Sequence, residues 1–144
     1  MSQADTNFSH DGLRDLLTHC ASPPFFYESL NREIASSDRN GGIFSLIRIV
    51  LNSSSDYELK ILEFSQVLRN LTRDEDLVAR LGKLEFTILL RGQERAAATF
   101  RKRIALHYEN EIIQGISQVT VLPGESVLEI LNRLDLQELM SISK

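Results

Sequence analysis

The sequence predicts an α/β (α+β) domain with a ferredoxin-like core, a mixed sheet carrying a central antiparallel hairpin and flanked by helices. Three observations predict it. Helical and extended patterns alternate along the chain in the order helix, strand, helix, strand-turn-strand, helix, strand, helix. The segment at 43–51 is apolar and rich in β-branched residues, as a buried strand should be, and an apolar strand also follows the hairpin turn. The length, 144 residues, suits one compact core. Residues 1–10 read as a flexible tail and 11–144 as a single domain.

The first helix begins at "SPPFFYESL". Ser22 can cap it, and Pro23 fits the first helical position, where a missing N–H costs nothing. Phe26, Leu30 and Ile34 then recur every four residues, and "DRNGG" closes the helix as a turn cluster. "IFSLIRIVL" is the first strand. "NSSSDYE" leads into a second helix with Ser55 and Glu58 placed for a capping box. Its apolar side is expected along Leu59, Leu62, Val67 and Leu71, with Ile61, Phe64 and Leu68 beside them.

"DLVARL" and "LEFTILLRG" form a hairpin with its turn at Gly82-Lys83. The next helix, "QERAAATFRKRIALHYENE", has an alanine-rich start and the basic run Arg101-Lys102-Arg103. "IIQGISQVTVL" is the last strand. "PGESVLEILNRLDLQELMSI" closes the chain as a helix, with Ser126 and Glu129 as a capping box and Val127, Leu131 and Leu134 as its core stripe.

Composition narrows the function. Hydrophobic residues are 42% and charged residues 25%, ordinary for a globular protein. A net charge of -4 gives no electrostatic case for nucleic acid or a membrane surface as partner. The polar start "MSQADTNFSHDG" is unlike a signal peptide, and no apolar run approaches the roughly 20 residues that span a bilayer. Cys20 is the single cysteine, which fits a reducing, cytoplasmic setting. His10, His19 and His107 lack metal-ligand spacing, and adjacent His19 and Cys20 are poorly placed as a nucleophile-base pair. No cofactor is called for.

The hairpin carries the most specific signal. Arg73 and Asp76 stand as Arg-x-x-Asp, five residues before "GKLEF" at Gly82, Lys83, Leu84, Glu85 and Phe86. Arg80 lies between them. "DLLTHCASPPFF" supplies Asp15, Leu17, Thr18 and Phe26, and "GISQVTVLPGES" followed by "LNRLD" supplies Asp135. In this ordered set, spread over 11–139, the chain resembles the GGDEF domain of the bacterial diguanylate cyclases in a degenerate form, and so a nucleotide-cyclase-like fold.

The resemblance implies both a lost chemistry and a retained site. The family joins two GTP molecules into cyclic di-GMP with divalent metal, held partly by the third signature residue and by an aspartate on the first strand. Here those places offer Leu84 and a strand whose charged residue is Arg48, so no catalytic residue and no metal ligand is assigned. Lys83 replaces the second glycine and puts a side chain where backbone should approach phosphate. The loop after the first strand is shorter than the family's, without clear counterparts of its guanine-reading Asn and Asp. The closing Ala-Lys and Gly-Arg-Asn segment has no counterpart before Lys144.

Arg73 and Asp76 match the family's product-binding inhibitory pair, which Arg103 on the next helix can complete. An arginine fork suits phosphate or a guanine edge, and a carboxylate accepts from guanine N–H groups. The expected function is therefore a catalytically inactive signalling domain acting as a cyclic di-GMP receptor, as a protein-interaction module, or both. A purely protein-binding adaptor and a residual nucleotide cyclase are the alternatives. A protein partner is expected, and homodimerisation stays open.

Overall fold

The computed structural model describes residues 12–92, 94–107, 112–137 and 139–140; the expected tail, 1–10, lies outside them. Four helices and four strands follow one another as α1 (Pro23–Asn40), β1 (Phe44–Leu51), α2 (Tyr57–Leu71), β2 (Leu77–Gly82), β3 (Glu85–Arg91), α3 (Glu94–His107), β4 (Ile113–Thr120) and α4 (Val127–Leu136). The β1-α2-β2-β3-α3-β4 run is the ferredoxin-like order the sequence predicts.

The strands lie in the order β2-β3-β1-β4, and every pair is antiparallel rather than mixed. The reason is topological. Each helical crossover skips one position, so strands that share a direction never touch: β3 separates β1 from β2, and β1 separates β3 from β4. The hairpin is central in chain order, but only its β3 arm is an inner strand. β2 is pushed to the edge because β1 is already paired on both sides. The outer side of β2 is met by Ala21, which donates its N–H to Val78 O and accepts from Arg80 N in a parallel bridge to Ala79. On β4, Ile116 and Met140 exchange both backbone hydrogen bonds at 2.8 Å.

Alternation along β1 divides the core. Ile47, Ile49 and Leu51 join Phe86, Ile88 and Leu90 of β3 beneath α2 and α3, which contribute Ile61, Phe64 and Leu68, and Ala97, Phe100 and Ile104. Phe44 and Leu46 face the other way, with Leu89 and Val119, against Phe26 and Leu30 of α1 and Ile130 and Leu134 of α4. Each of these large side chains contributes about 1.5–3 kcal/mol on burial.

Both outer helices start where their sequences say they should. Ser22 accepts from Phe25 N above Pro23, and Ser126 and Glu129 form a reciprocal capping box. α2 differs. It starts one residue late, with Asp56 at the cap position and no side-chain cap, because Ser54 Oγ donates to Asp56 Oδ1 instead. Its buried stripe is Ile61, Phe64 and Leu68, while Leu59 is exposed. α4 ends at Leu136, short of the expected span, and Met140 has left helical geometry to bridge β4.

Candidate functional site

Two regions carry the residues singled out by the sequence: the tip of the β2-β3 hairpin, and its opposite end beside α3. At the tip the connection is Lys83-Leu84, one residue on from the predicted turn, because Gly82 pairs with Glu85. A Cβ on Gly82 would lie 3.3 Å from Glu85 Cβ, so the first signature glycine keeps a close cross-strand approach. Leu84 is half-buried against the core under α2, and its carbonyl accepts from Leu51 N at 2.8 Å. Lys83 Nζ stands 4.6 Å from the centre of the Tyr57 ring, a cation-π contact that draws the tip onto the start of α2.

Glu85 is the tip's carboxylate, and it is taken. Arg48 Nε donates to its Oε2 at 2.8 Å from the neighbouring strand. This bond raises the Arg48 guanidinium above its usual pKa, with Asp135 adding to the effect. A divalent cation does not fit this donor set, since Leu84 offers no side-chain oxygen and Glu85 is already neutralised by a guanidinium. The adjoining cavity, between 51–54, Tyr57, Lys60 and Leu84, is only about 30 Å³, room for about one water.

Behind the tip lies a fully buried ion pair. Arg80 Nη1 donates to Asp15 Oδ1 and Oδ2 at 3.1 and 3.2 Å, and Arg80 Nη2 donates to Lys83 O at 2.8 Å. Asp15 Oδ2 also accepts from Thr18 N and Thr18 Oγ1. Asp15, Thr18 and Arg80, all part of the sequence resemblance, thus form one polar network that fixes the hairpin tip. Cys20 is buried beside it, and burial pushes its thiol pKa up, the direction of an unreactive thiol.

The other end of the hairpin opens onto a cleft of about 380 Å³ between the 71–76 turn and α3. Arg73, Asp76 and Arg103 all line it, so the three predicted binding residues come together. Arg95, which sequence reading missed, lines it too. The signal was helical spacing: Arg95, Thr99 and Arg103 recur every four residues, with Ala96 and Phe100 beside them, and so share one face of α3. Among the described residues neither Arg95 nor Arg103 has an ion-pair partner.

Asp76 is turned inward, its side chain 2% exposed, rather than toward open solvent. It accepts from Arg73 N at 2.9 Å and Arg91 N at 3.2 Å, clamping the start of β2 to the end of β3. Arg73 reaches over it, half exposed, and donates through Nη2 to Arg91 O.

No protein-family model matches the chain. Structural comparison is decisive for the fold. The GGDEF domain of DgcB from Caulobacter crescentus, solved in complex with cyclic di-GMP, superposes with a TM-score of 0.76 at 19% identity over 88% of each chain. In fold, the chain is a GGDEF-like domain. The diguanylate cyclase SiaD of Pseudomonas aeruginosa, solved with its activator SiaC, gives a TM-score of 0.75 at 20% identity over 85% of this chain and 55% of that one. In sequence, the GGDEF-like chain is 29% identical to diguanylate cyclase DgcS of Shewanella oneidensis over 107 residues. That match takes in 67% of this chain and 36% of DgcS, so the chain spans about a third of its curated relative.

Proposed function

We propose that this GGDEF-like domain is a bacterial signalling module that binds cyclic di-GMP in the cleft beside α3 and does not synthesise it. The observation that carries this is the convergence of Arg73, Arg95 and Arg103 on one cleft at the opposite end of the hairpin from a tip whose carboxylate is bound to Arg48. Guanidinium forks are well matched to phosphate and to guanine edges. Asp76 holds Arg73 in place and forms part of the wall, and the apolar faces of Leu71, Leu90 and Phe100 give the bases a surface. A protein partner is part of this reading, and the structural relative SiaD was solved in complex with a protein, its activator SiaC. No helix among the described residues is long and apolar enough to cross a membrane; the cytoplasmic setting in this reading rests instead on the single, free cysteine, Cys20.

Isothermal titration with cyclic di-GMP tests the proposal. Wild type binds, and Arg73→Ala loses a charge-assisted contact, weakening binding by about 10-fold to over 100-fold. Lys83→Ala at the tip changes affinity little. Absence of wild-type binding at high micromolar ligand would leave the protein-binding adaptor as the function, a second reading favoured by Leu106, Leu128 and Leu136, which are 84%, 69% and 84% exposed. Weakening by Lys83→Ala but not by Arg73→Ala would put the ligand at the tip instead.

A further inference from the structure

The turn that presents Arg73 is acidic: Arg73 is followed by Asp74, Glu75 and Asp76. Two of these carboxylates reach the Arg73 guanidinium, with Nε 3.3 Å from Glu75 Oε2 and 3.4 Å from Asp76 Oδ2. Their situations differ. Asp76 is buried and also accepts two backbone N–H groups, so it belongs to the architecture of the turn. Glu75 is 43% exposed, and among the described residues Arg73 is its one bonded partner. It shares the guanidinium Nε with Asp76, one of the N–H groups a phosphate can use for two-point binding. Asp74 makes no ion pair among the described residues.

We infer that Glu75 is an internal competitor for the Arg73 guanidinium, and that its displacement sets the ligand concentration at which the cleft fills. This rests on the cleft being the binding site. A phosphate arriving at Arg73 exchanges one ion pair for another. The net gain at Arg73 is reduced by the Glu75 ion pair it gives up, whereas Arg95 and Arg103 have no ion-pair partner among the described residues to give up. The turn therefore detunes the site without removing the arginine. Freed of Glu75, the same cleft binds more tightly.

The test titrates the full chain with cyclic di-GMP, and with inorganic pyrophosphate as a guanine-free probe, in wild type, Glu75→Gln and Asp74→Asn. Asp74→Asn removes the same charge one residue away and controls for bulk electrostatics. The expected result is that Glu75→Gln tightens cyclic di-GMP binding by about 2- to 5-fold, the range of an exposed ion pair, while Asp74→Asn leaves it unchanged. Equal tightening by both variants, or none by Glu75→Gln while wild type binds, overturns the competitor and leaves the receptor function standing. Pyrophosphate bound more tightly by Glu75→Gln alone, with cyclic di-GMP bound by no variant, upholds the competitor and removes the proposed ligand. Binding of neither probe to any variant overturns both.

Discussion

Arg48 and Glu85 are diagonal neighbours across β1 and β3, joined by a 2.8 Å hydrogen bond between Arg48 Nε and Glu85 Oε2. The pair sits where a working tip of this fold would gather carboxylates for metal. The expected outcome is no cyclic di-GMP from GTP with Mg²⁺ or Mn²⁺, as followed by chromatography. Leu84→Asp does not restore turnover, because Glu85 stays bound to Arg48. Glu85→Ala changes stability rather than activity. With both side chains partly exposed, its loss is worth about 1–2 kcal/mol in chemical denaturation. Product that appears in wild type and vanishes in Glu85→Ala would show that the tip still works.

The arginine face of α3 separates contact from bulk charge. Arg95→Ala and Arg103→Ala should each weaken cyclic di-GMP binding by about 10-fold, the loss of one charge-assisted hydrogen bond. Lys102→Ala, an exposed neighbour that does not line the cleft, should leave it within about 2-fold, the scale of a screened surface charge. Equal losses in all three variants, measured by titration, would point to diffuse attraction instead of a site.

The Asp15-Arg80 pair is fully buried, so removing one partner strands the other in the core. Asp15→Ala or Arg80→Ala should cost about 3–5 kcal/mol in denaturant unfolding. The loss should appear also as a looser tip, read as faster amide exchange near Lys83, whose carbonyl loses the Arg80 bond in Arg80→Ala. An Arg80→Ala variant of wild-type stability would contradict this assignment.

Acid should loosen α4. Arg133 grips Glu125 with two 2.8 Å hydrogen bonds and donates to Thr120 O, joining α4 to the end of β4. The bond to Arg133 holds the Glu125 carboxyl below its usual value of 4.5, with the Leu122 N–H assisting and burial opposing. Since the folded pKa is depressed, the stability this group contributes is present above the unfolded pKa. It is lost as pH falls through the folded one. Glu125→Gln should therefore be less stable at neutral pH and show a flatter decline below about pH 4.5 than wild type, measured by thermal unfolding across pH. Parallel pH profiles for the two proteins would reject this.

What the sequence made legible were the features coded over a few neighbouring residues. Ser22 with Pro23 and Ser126 with Glu129 announce their helices because capping needs only three or four positions. The near-continuous apolar, β-branched run in 43–51 announces a strand buried on both faces. Arg73 and Asp76 were readable as a local motif, and Arg103 as its helical complement. The features that escaped depend on partners distant in the chain. The edge position of β2 follows from β1 pairing on both sides. The Arg48-Glu85 bond follows from a cross-strand register that pairs Val50 with Glu85. Arg95 was legible only once α3 had a phase relative to the 71–76 turn. Leu59 fits an apolar helical pattern, yet the sheet touches the stripe through Ile61 and Phe64 instead.

Both margins of the sheet are plugged from within: Ala21 takes up hydrogen bonds along β2, and Met140 takes up the pair at Ile116 on β4. The second plug depends on a small residue, since a Cβ on Gly115 would come within 2.7 Å of Leu139 Cβ. Strand addition, by which exposed edges recruit foreign peptides or seed fibrils, is thereby obstructed at each side. A partner is left the helix surfaces and the arginine cleft as places to dock, and Gly115→Ala, by dislodging the segment around Met140, would convert a monomer-friendly rim into a sticky one.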